Sequence, residues 1–203
     1  MTKETFEKLI SVKSTVIIFA VVMIFLQSFG VSFIPTPSMD PTLPVGTFIL
    51  TSRYPDASGI SYGDIVTFVT SNRKETRIAV IDEFMRRLKG EAVYVKRVVG
   101  LPGDTISFHS DENGEIQFYR NGELVADEFA PVEGYHVPGG GWSGMNREEG
   151  NGTIEYTMAV PENSFFVMGD NRNNSSDSRY MGCIYDIQLR GKLVFSVLPI
   201  RLK

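Results

Sequence analysis

The sequence predicts a mainly β protein, in which an antiparallel β-sheet domain with one short helix follows a single N-terminal transmembrane helix. Three observations lead to this fold class. Residues 14–39 contain no charged side chain. Beyond them, short runs rich in β-branched and aromatic residues are separated by proline and glycine, as in a chain of strands and turns. Asn113-Gly114 and Asn121-Gly122 are hairpin signals between such runs.

The N-terminal 34 residues divide into two parts. Residues 1–13 carry Lys3, Lys8 and Lys13 and are predicted to be a short cytoplasmic segment, because lysines accumulate on the cytoplasmic side of a membrane span. Residues 14–34 are predicted to be the anchor, since they reach the roughly 20 apolar residues that a crossing helix needs. Residues 28–32 weakly resemble a small-residue cleavage site, so removal of the anchor stays open.

Residues 35–203 are predicted to form one β-rich domain with an excursion around residues 105–160. Apolar side chains recur at helical spacing from Thr76 to Lys89, and Gly90 follows as a stop signal. Residues 130–160 are rich in glycine around Trp142 and are predicted to be a long loop. The predicted strands are Thr47–Ser52, Asp64–Val69, Ala92–Val99, Thr105–His109, Ile116–Arg120, Ser164–Met168 and Lys192–Leu198.

Composition excludes several kinds of function. A net charge of -4 without a basic block argues against nucleic acid as a partner. Cys183 is the single cysteine, so neither an internal disulfide nor a cysteine-based zinc site is possible. His109 and His136 lack the spacing of metal ligands, and we expect neither a metal nor a cofactor. No Gly-x-Ser-x-Gly motif is present, so a base in this chain is predicted not to be histidine.

Lys96 is the lysine best placed to act as a base. It interrupts the apolar run Tyr94–Val99, and in a strand it shares a face with Tyr94 and Val98 while Arg97 points the other way. Burial lowers the pKa of a lysine, and a neutral lysine accepts a proton. The alternative is a lysine at a solvated strand edge.

Two polar segments flank this strand in the sequence. Ser38 lies in a proline-rich loop, residues 35–44, a few residues past the predicted anchor. Residues 169–182 concentrate polar side chains directly after an apolar strand. Ser38 is a candidate nucleophile, although this loop can also be a simple spacer. The second segment can equally be a solvated loop.

Together these segments resemble the bacterial type I signal peptidase family. Four motifs occur in the order typical of that family, after an apolar anchor. The motifs are Ser-Met-x-Pro-Thr-Leu at Ser38–Leu43, Gly-Asp-Ile-Val at Gly63–Val66, Lys-Arg-Val-Val-Gly-Leu-Pro-Gly-Asp at Lys96–Asp104, and Gly-Asp-Asn-Arg at Gly169–Arg172 with Ser175 and Asp177-Ser-Arg179.

The resemblance implies a serine endopeptidase with a Ser-Lys dyad. Ser38 would attack the scissile carbonyl and form an acyl-enzyme, and Lys96 would accept its proton and later activate water. The Ser38 N–H and the Thr36 hydroxyl would form the oxyanion hole. Pro37 stands where some members of the family have glycine.

The resemblance also implies supporting roles for residues near the base. Ser175 would orient Lys96, and Asp177 with Arg179 would form an ion pair that shapes the site. Arg97 and Asp170 would be structural.

The implied reaction is removal of N-terminal signal peptides from exported preproteins, with cleavage after small-x-small sequences. An extended substrate that pairs with a strand places alternate side chains in two shallow pockets. The implied partners are signal peptides and the lipid bilayer, and the implied location is the plasma (inner) membrane or a thylakoid membrane, with the catalytic domain on the exported side. By resemblance, the pocket walls are Ile34, Pro35, Met39, Tyr94 and Val95.

Trp142 has two interpretations, a membrane-interface aromatic residue or a residue that packs a loop. Three rival functions also stay open. They are a self-cleaving repressor of the SOS-response type, a catalytically dead membrane-tethered binding protein, and a β-rich adaptor without a peptide groove.

Overall fold

A computed structural model of the chain describes residues 3–71, 78–111, 113–126, 129, 135–138, 141–150 and 153–198. The helices in these ranges are α1 (Lys3–Ser28), α2 (Ala79–Lys89) and α3 (Ser178–Met181). The strands are β1 (Phe29–Phe33), β2 (Phe48–Arg53), β3 (Ile65–Phe68), β4 (Tyr94–Gly100), β5 (Thr105–Ser110), β6 (Ile116–Arg120), β7 (Glu123–Leu124), β8 (Asn146–Gly150), β9 (Thr153–Ala159), β10 (Ser164–Met168), β11 (Ile184–Tyr185) and β12 (Leu189–Val197).

The strands form two antiparallel sheets. The seven-stranded sheet has the order β1-β2-β12-β3-β4-β10-β11, and the five-stranded sheet has the order β7-β6-β5-β9-β8. The prediction of a mainly antiparallel β protein is therefore confirmed. Each of the seven predicted strands overlaps an observed one, and α2 ends at the predicted residue. Its predicted first residue, Thr76, lies outside the described part of the chain.

The helix predicted for residues 14–34 does not continue to its predicted end. α1 ends at Ser28, and residues 29–33 form β1, which pairs with β2 from Phe29 opposite Ser52 to Phe33 opposite Phe48. Gly30 allows a close approach to β2, because a Cβ at this position would lie only 3.1 Å from the Thr51 hydroxyl oxygen. That hydroxyl donates to the Gly30 carbonyl at 3.3 Å. Pairing with β2 satisfies those backbone groups of this apolar segment that face β2. Apolar composition alone did not distinguish a continued helix from a strand over residues 29–33.

The prediction of a long loop over residues 130–160 is wrong in its second half. β8 and β9 pair in register, and β9 also pairs with β5 from Thr105 opposite Ala159 to His109 opposite Glu155. The excursion around residues 105–160 is thus the second sheet. The unpredicted four-residue helix α3 follows β10 and begins at the side-chain cap of Asp177.

Trp142 packs against one face of the second sheet. Only 2% of its surface is exposed, and its ring lies 4.7 Å from the Phe108 ring and 4.9 Å from the Tyr156 ring. The membrane-interface interpretation of Trp142 is therefore wrong, because a buried ring cannot reach a headgroup region. Its packing holds the segment before β8 against the sheet.

Within the described part of the chain, no helix is both long enough and apolar enough to cross a membrane.

Candidate active site

Ser38 lies on a single 3-10 turn, Pro37–Met39, which follows β1, an edge strand of the seven-stranded sheet. Proline suits the first position of such a turn, because its fixed φ is already helical and its missing N–H leaves no donor unsatisfied. Met39 is completely buried and fixes the turn from below. Asn171 fixes it from the side, since its backbone N–H donates to the Ser38 carbonyl at 3.2 Å and its amide donates to the Pro37 carbonyl at 3.0 Å.

Lys96 reaches this turn from β4, where it lies opposite Val66 of β3. Its Nζ donates to the Ser38 hydroxyl at 2.9 Å and to the Val95 carbonyl at 3.0 Å. Only 3% of Lys96 is exposed, which contradicts the alternative of a solvated edge lysine. The structure therefore joins two residues that are far apart in the sequence.

The pKa of Lys96 is lowered from its ordinary value. Burial is the largest cause, because it disfavours the ammonium form. The carboxylates of Asp177 and Asp170 act in the opposite direction, and Arg179 adds to the lowering. The net effect favours a neutral amine next to a hydroxyl.

The loop after β10 packs directly against this pair. A Cβ on Gly169 would collide with the Ser175 side chain and with the Ser38 carbonyl, so only glycine fits between them. The Gly169 N–H donates to the Asp177 carboxylate at 3.0 Å. Gly169 thus joins the segment of Ser38 to the ion pair behind it.

Two buried ion pairs stabilise this loop. Arg179 donates to both carboxylate oxygens of Asp177 at 2.9 Å, and both side chains are almost completely buried. Arg97 donates to both oxygens of Asp170, at 2.8 and 2.6 Å, and to the Gly63 carbonyl at 2.7 Å. The resemblance implied the Asp177–Arg179 pair, whereas for Arg97 and Asp170 it implied only a structural role. Two-point contacts of this kind fix direction as well as distance.

Ser175 does not hydrogen-bond to Lys96 in this structure. Its hydroxyl oxygen is buried and has no hydrogen-bond partner among the described residues. It lies against Gly169, the same residue that lies against the Ser38 carbonyl. A buried hydroxyl without a partner is costly, and this one lies beside the segment that carries Ser38.

The remaining predicted site residues are only partly brought together. The Thr36 hydroxyl lies 3.4 Å from the Ser38 hydroxyl. Ile34 and Met39 share a buried cluster against which Val95 packs. Tyr94 belongs to a different cluster and stacks on Phe68 with ring centroids 5.5 Å apart. Pro35 is exposed.

The histidines lie elsewhere. His109 is in β5, where its Nε2 is 2.8 Å from the Ser107 hydroxyl and 3.6 Å from the Glu155 carboxylate. The His136 N–H donates to the Asn173 side chain at 2.8 Å. Among the described residues, no group of three or more His, Cys, Asp or Glu side chains could hold a metal ion.

The protein-family comparison bears directly on this geometry. The model described as signal peptidase, peptidase S26, matches residues 8–198. The chain belongs to this family. The match includes the turn of Ser38, the strand of Lys96 and the loop of residues 169–182.

Curated relatives of this peptidase-family chain carry the same name. The chain is 35% identical over 176 residues to signal peptidase I of Pseudomonas aeruginosa, and the matched region covers 78% of this chain and 58% of that protein. It is 28% identical over 207 residues to signal peptidase IB of Staphylococcus aureus, covering 98% and 92% of the two chains. The chain thus spans less than two thirds of the length of the Pseudomonas relative. A crystal structure of a signal peptidase I from Enterococcus faecalis is 23% identical, with a TM-score of 0.41, and the similarity covers 66% of this chain and 97% of that one.

Sequence reasoning missed two residues of the site. Asn171 holds the Ser38 turn through two hydrogen bonds, and Gly169 provides the space between Ser38 and Ser175. Both lie in the Gly-Asp-Asn-Arg motif, so the signal was present. The motif could not indicate that Asn171 donates to the backbone carbonyls of residues 37 and 38.

Proposed function

We propose that this chain is a membrane-bound serine endopeptidase that removes N-terminal signal peptides from exported preproteins. The observation that carries the proposal is the 2.9 Å contact between the Lys96 amine and the Ser38 hydroxyl, with Lys96 buried. A serine becomes a good nucleophile when a neighbouring base takes its proton. Family membership supports this chemistry over a tethered binding protein, a repressor or an adaptor.

The proposed reaction begins at the Ser38 hydroxyl. Its oxygen attacks the scissile carbonyl carbon while its proton passes to the Lys96 Nζ, and a tetrahedral oxyanion forms. Lys96 then gives the proton to the leaving amine, the C–N bond breaks, and an acyl-enzyme remains. Lys96, neutral again, takes a proton from water, which attacks the acyl carbonyl. Lys96 then returns that proton to the Ser38 oxygen as the ester C–O bond breaks, so that the Ser38 hydroxyl and the neutral amine are restored. Because burial lowers the pKa of Lys96, the neutral amine that accepts these protons forms at a lower pH than it does in an ordinary lysine.

The oxyanion would be bound by the Ser38 N–H and by the Thr36 hydroxyl, which lies 3.4 Å from the attacking oxygen. One such donor is worth about 2.7–4 kcal/mol of transition-state stabilisation. Ser175 would turn toward Lys96 once the lysine accepts a proton, since catalytic hydrogen bonds often form only in the complex. A buried hydroxyl with no partner in the resting state is suited to that change.

An extended substrate strand would bind along the first half of β4. β4 pairs with β3 from Tyr94 to Arg97 and with β10 only from Arg97 to Gly100. On the β10 side, Tyr94 and Val95 therefore have no strand partner among the described residues. A peptide that fills this position would pass Ser38 and bring alternate side chains toward Ile34, Met39 and Val95. Small substrate residues are expected there, because Ile34 and Met39 already pack tightly together.

The membrane part of the proposal rests on two apolar surfaces. α1 exposes its apolar side chains from Val12 to Leu26. Its uncharged part, residues 14–28, is about 22 Å long, whereas the hydrocarbon core is about 30 Å thick. Lys13 could extend its charge to the interface at one end.

At the other end of α1, one face of the neighbouring strands extends the apolar surface beyond Ser28. Phe33 lies opposite Phe48, and Phe48 lies opposite Val197. Val31, two residues before Phe33 in β1, shares their face. All four side chains are at least half exposed. We propose that this face lies against the exported side of the bilayer, near the site where signal peptides leave it.

The test is cleavage of a purified preprotein by the full chain in detergent micelles. Ser38→Ala and Lys96→Ala should each abolish cleavage, while Ser58→Ala and Lys192→Ala, changes of the same kind elsewhere, should retain it. The rise of kcat/KM with pH should survive replacement of both His109 and His136. Cleavage by Ser38→Ala, or loss of the pH limb in the double-histidine variant, would contradict the proposal.

A further inference from the structure

α2 has its polarity reversed relative to a helix of a soluble domain. Such a helix normally buries its apolar stripe and exposes its polar face. Here Asp82 is 4% exposed, whereas Ile81, Phe84 and Leu88 are 44%, 60% and 66% exposed. Ile78, just before the helix, is 50% exposed on the same face. The apolar stripe of α2, defined by these four residues, therefore points away from the protein.

The buried polar face of α2 is held by specific bonds. The Tyr54 hydroxyl donates to the Asp82 carboxylate at 2.8 Å, and Arg86 donates to the Glu91 carbonyl at 3.0 Å. These contacts fix the rotation of the helix about its axis. The outward direction of the stripe is thus a property of the fold.

Beneath this face lies a cavity of about 210 Å³. Its described lining contains the side chains of Arg53, Arg86 and Arg190, with Asp82 as the one carboxylate among those residues. Arg53 is held in place by its bond to the Phe29 carbonyl at 2.9 Å. Three guanidinium groups around a small cavity suit an oxyanion such as a phosphate group.

The cavity and the stripe lie where α1 ends. Gly30, Val31 and Ser32, directly after α1, line the cavity, and α2 packs beside α1. The stripe is therefore continuous with the exposed apolar surface of α1 described above. A helix with an outward apolar stripe and basic groups beside it is typical of one that lies in a membrane interface.

We propose that α2 lies in the plane of the membrane interface, with its stripe among the acyl chains and an anionic lipid phosphate in the arginine-lined cavity. The proposal rests on the membrane placement proposed above, and it is independent of the chemistry of Ser38 and Lys96. The cavity follows directly after α1, so a bound phosphate lies at the depth where a lipid headgroup would be. Anionic headgroups attract arginines near a membrane surface by an amount that corresponds to about a fivefold change in association per residue.

The first experiment measures contact of the stripe with lipid. The full chain is reconstituted into vesicles that contain lipids with brominated acyl chains, which quench nearby tryptophan. Phe84→Trp should lose at least half of its added emission, whereas Leu124→Trp, at a position of equal exposure in the second sheet, should lose little. Trp142 is the only native tryptophan and gives a constant buried background. Equal quenching at the two positions overturns the proposal.

The second experiment measures the headgroup preference. In Phe84→Trp, brominated phosphatidylglycerol should quench more strongly than brominated phosphatidylcholine at the same mole fraction. Arg86→Gln and Arg53→Gln should each lower that preference about fivefold, and Arg147→Gln, in the second sheet, should leave it unchanged. Equal quenching of Phe84→Trp by the two lipids overturns the proposed phosphate site.

A third measurement separates lipid from a second copy of the chain. Phe84→Cys in the same vesicles should remain monomeric under oxidising conditions, and efficient disulfide formation between copies through this residue overturns the proposal. Cleavage of a preprotein in micelles by the same variants reports on the proposed peptidase function alone. Normal cleavage without lipid contact would contradict the proposed placement of α2 in the membrane interface. Lipid contact without cleavage would contradict the proposed peptidase function.

Discussion

Replacing Lys96 with methionine is expected to abolish activity and to alter the pH dependence of stability in a defined direction. Burial lowers the pKa of Lys96 in the folded protein, whereas an unfolded lysine has a pKa near 10.4. Between the two pKa values the unfolded chain holds one more proton than the folded chain. The free energy of unfolding of the wild type therefore rises with pH across this window, and this contribution is lost as pH falls through the folded pKa.

Methionine has no proton to release, so Lys96→Met lacks this contribution. Each unit of pKa lowering corresponds to about 1.4 kcal/mol, and below the folded pKa the wild type bears the full cost of a buried ammonium. Against this stand the two hydrogen bonds of Nζ, to Ser38 and Val95, each worth about 0.5–1.5 kcal/mol. We expect the variant to be at least as stable as the wild type at pH 6. Its relative stability should then fall by about 1.4 kcal/mol per pH unit within the window.

The assay is guanidinium unfolding in micelles from pH 6 to pH 10.5, followed by the fluorescence of Trp142, which is buried in the second sheet. Lys192→Met, a change in the same sheet at a partly exposed lysine, is the control for loss of one positive charge. A stability of Lys96→Met relative to the wild type that stays constant with pH, or that rises as pH rises, would refute the argument.

Two further predictions concern the loop that packs against Ser38. Ser175→Ala should lower kcat on the order of 10–100-fold, because misplacement of a base by about 1 Å is costly. It should not lower stability, because the buried Ser175 hydroxyl has no partner in the resting state. Ser178→Ala, which removes a 2.9 Å hydrogen bond from the Val167 N–H, should instead lower the melting temperature. Gly169→Ala should abolish cleavage and reduce stability because its Cβ has no space, whereas Gly59→Ala, which has open space around it, should behave as wild type in both assays.

Ser38 and Lys96 were paired through the resemblance to a family, and each also lies in a segment with a local signature. Pro37 and the residues around it indicate a stiff turn, and the apolar neighbours of Lys96 indicate a buried strand. β9 could also have been found, since Ile154, Tyr156 and Met158 alternate with polar residues. β8 could not, because all of its residues are exposed and Arg147, Glu148 and Glu149 follow in succession.

Long-range contacts account for most of what sequence did not predict. β1 follows α1 without a break, and only its pairing with β2 distinguishes it from a continued helix. The outward stripe of α2 was visible as helical periodicity, but periodicity does not indicate which face is buried. The burial of Asp82 by Tyr54 decides that, and these residues lie on different elements.

The arrangement of charges around Lys96 explains how burial can lower its pKa despite two nearby carboxylates. Asp177 and Asp170 each act to raise the pKa of Lys96, yet each is held by two hydrogen bonds from its own arginine. A paired carboxylate exerts a weaker field on a third group than a bare one, and desolvation then outweighs it. Asp170, Asp177 and Arg179 lie on the loop that packs against the Ser38 turn, so the same loop fixes Ser38 and sets the charges around Lys96. A change that loosens this loop should therefore affect geometry and pKa together.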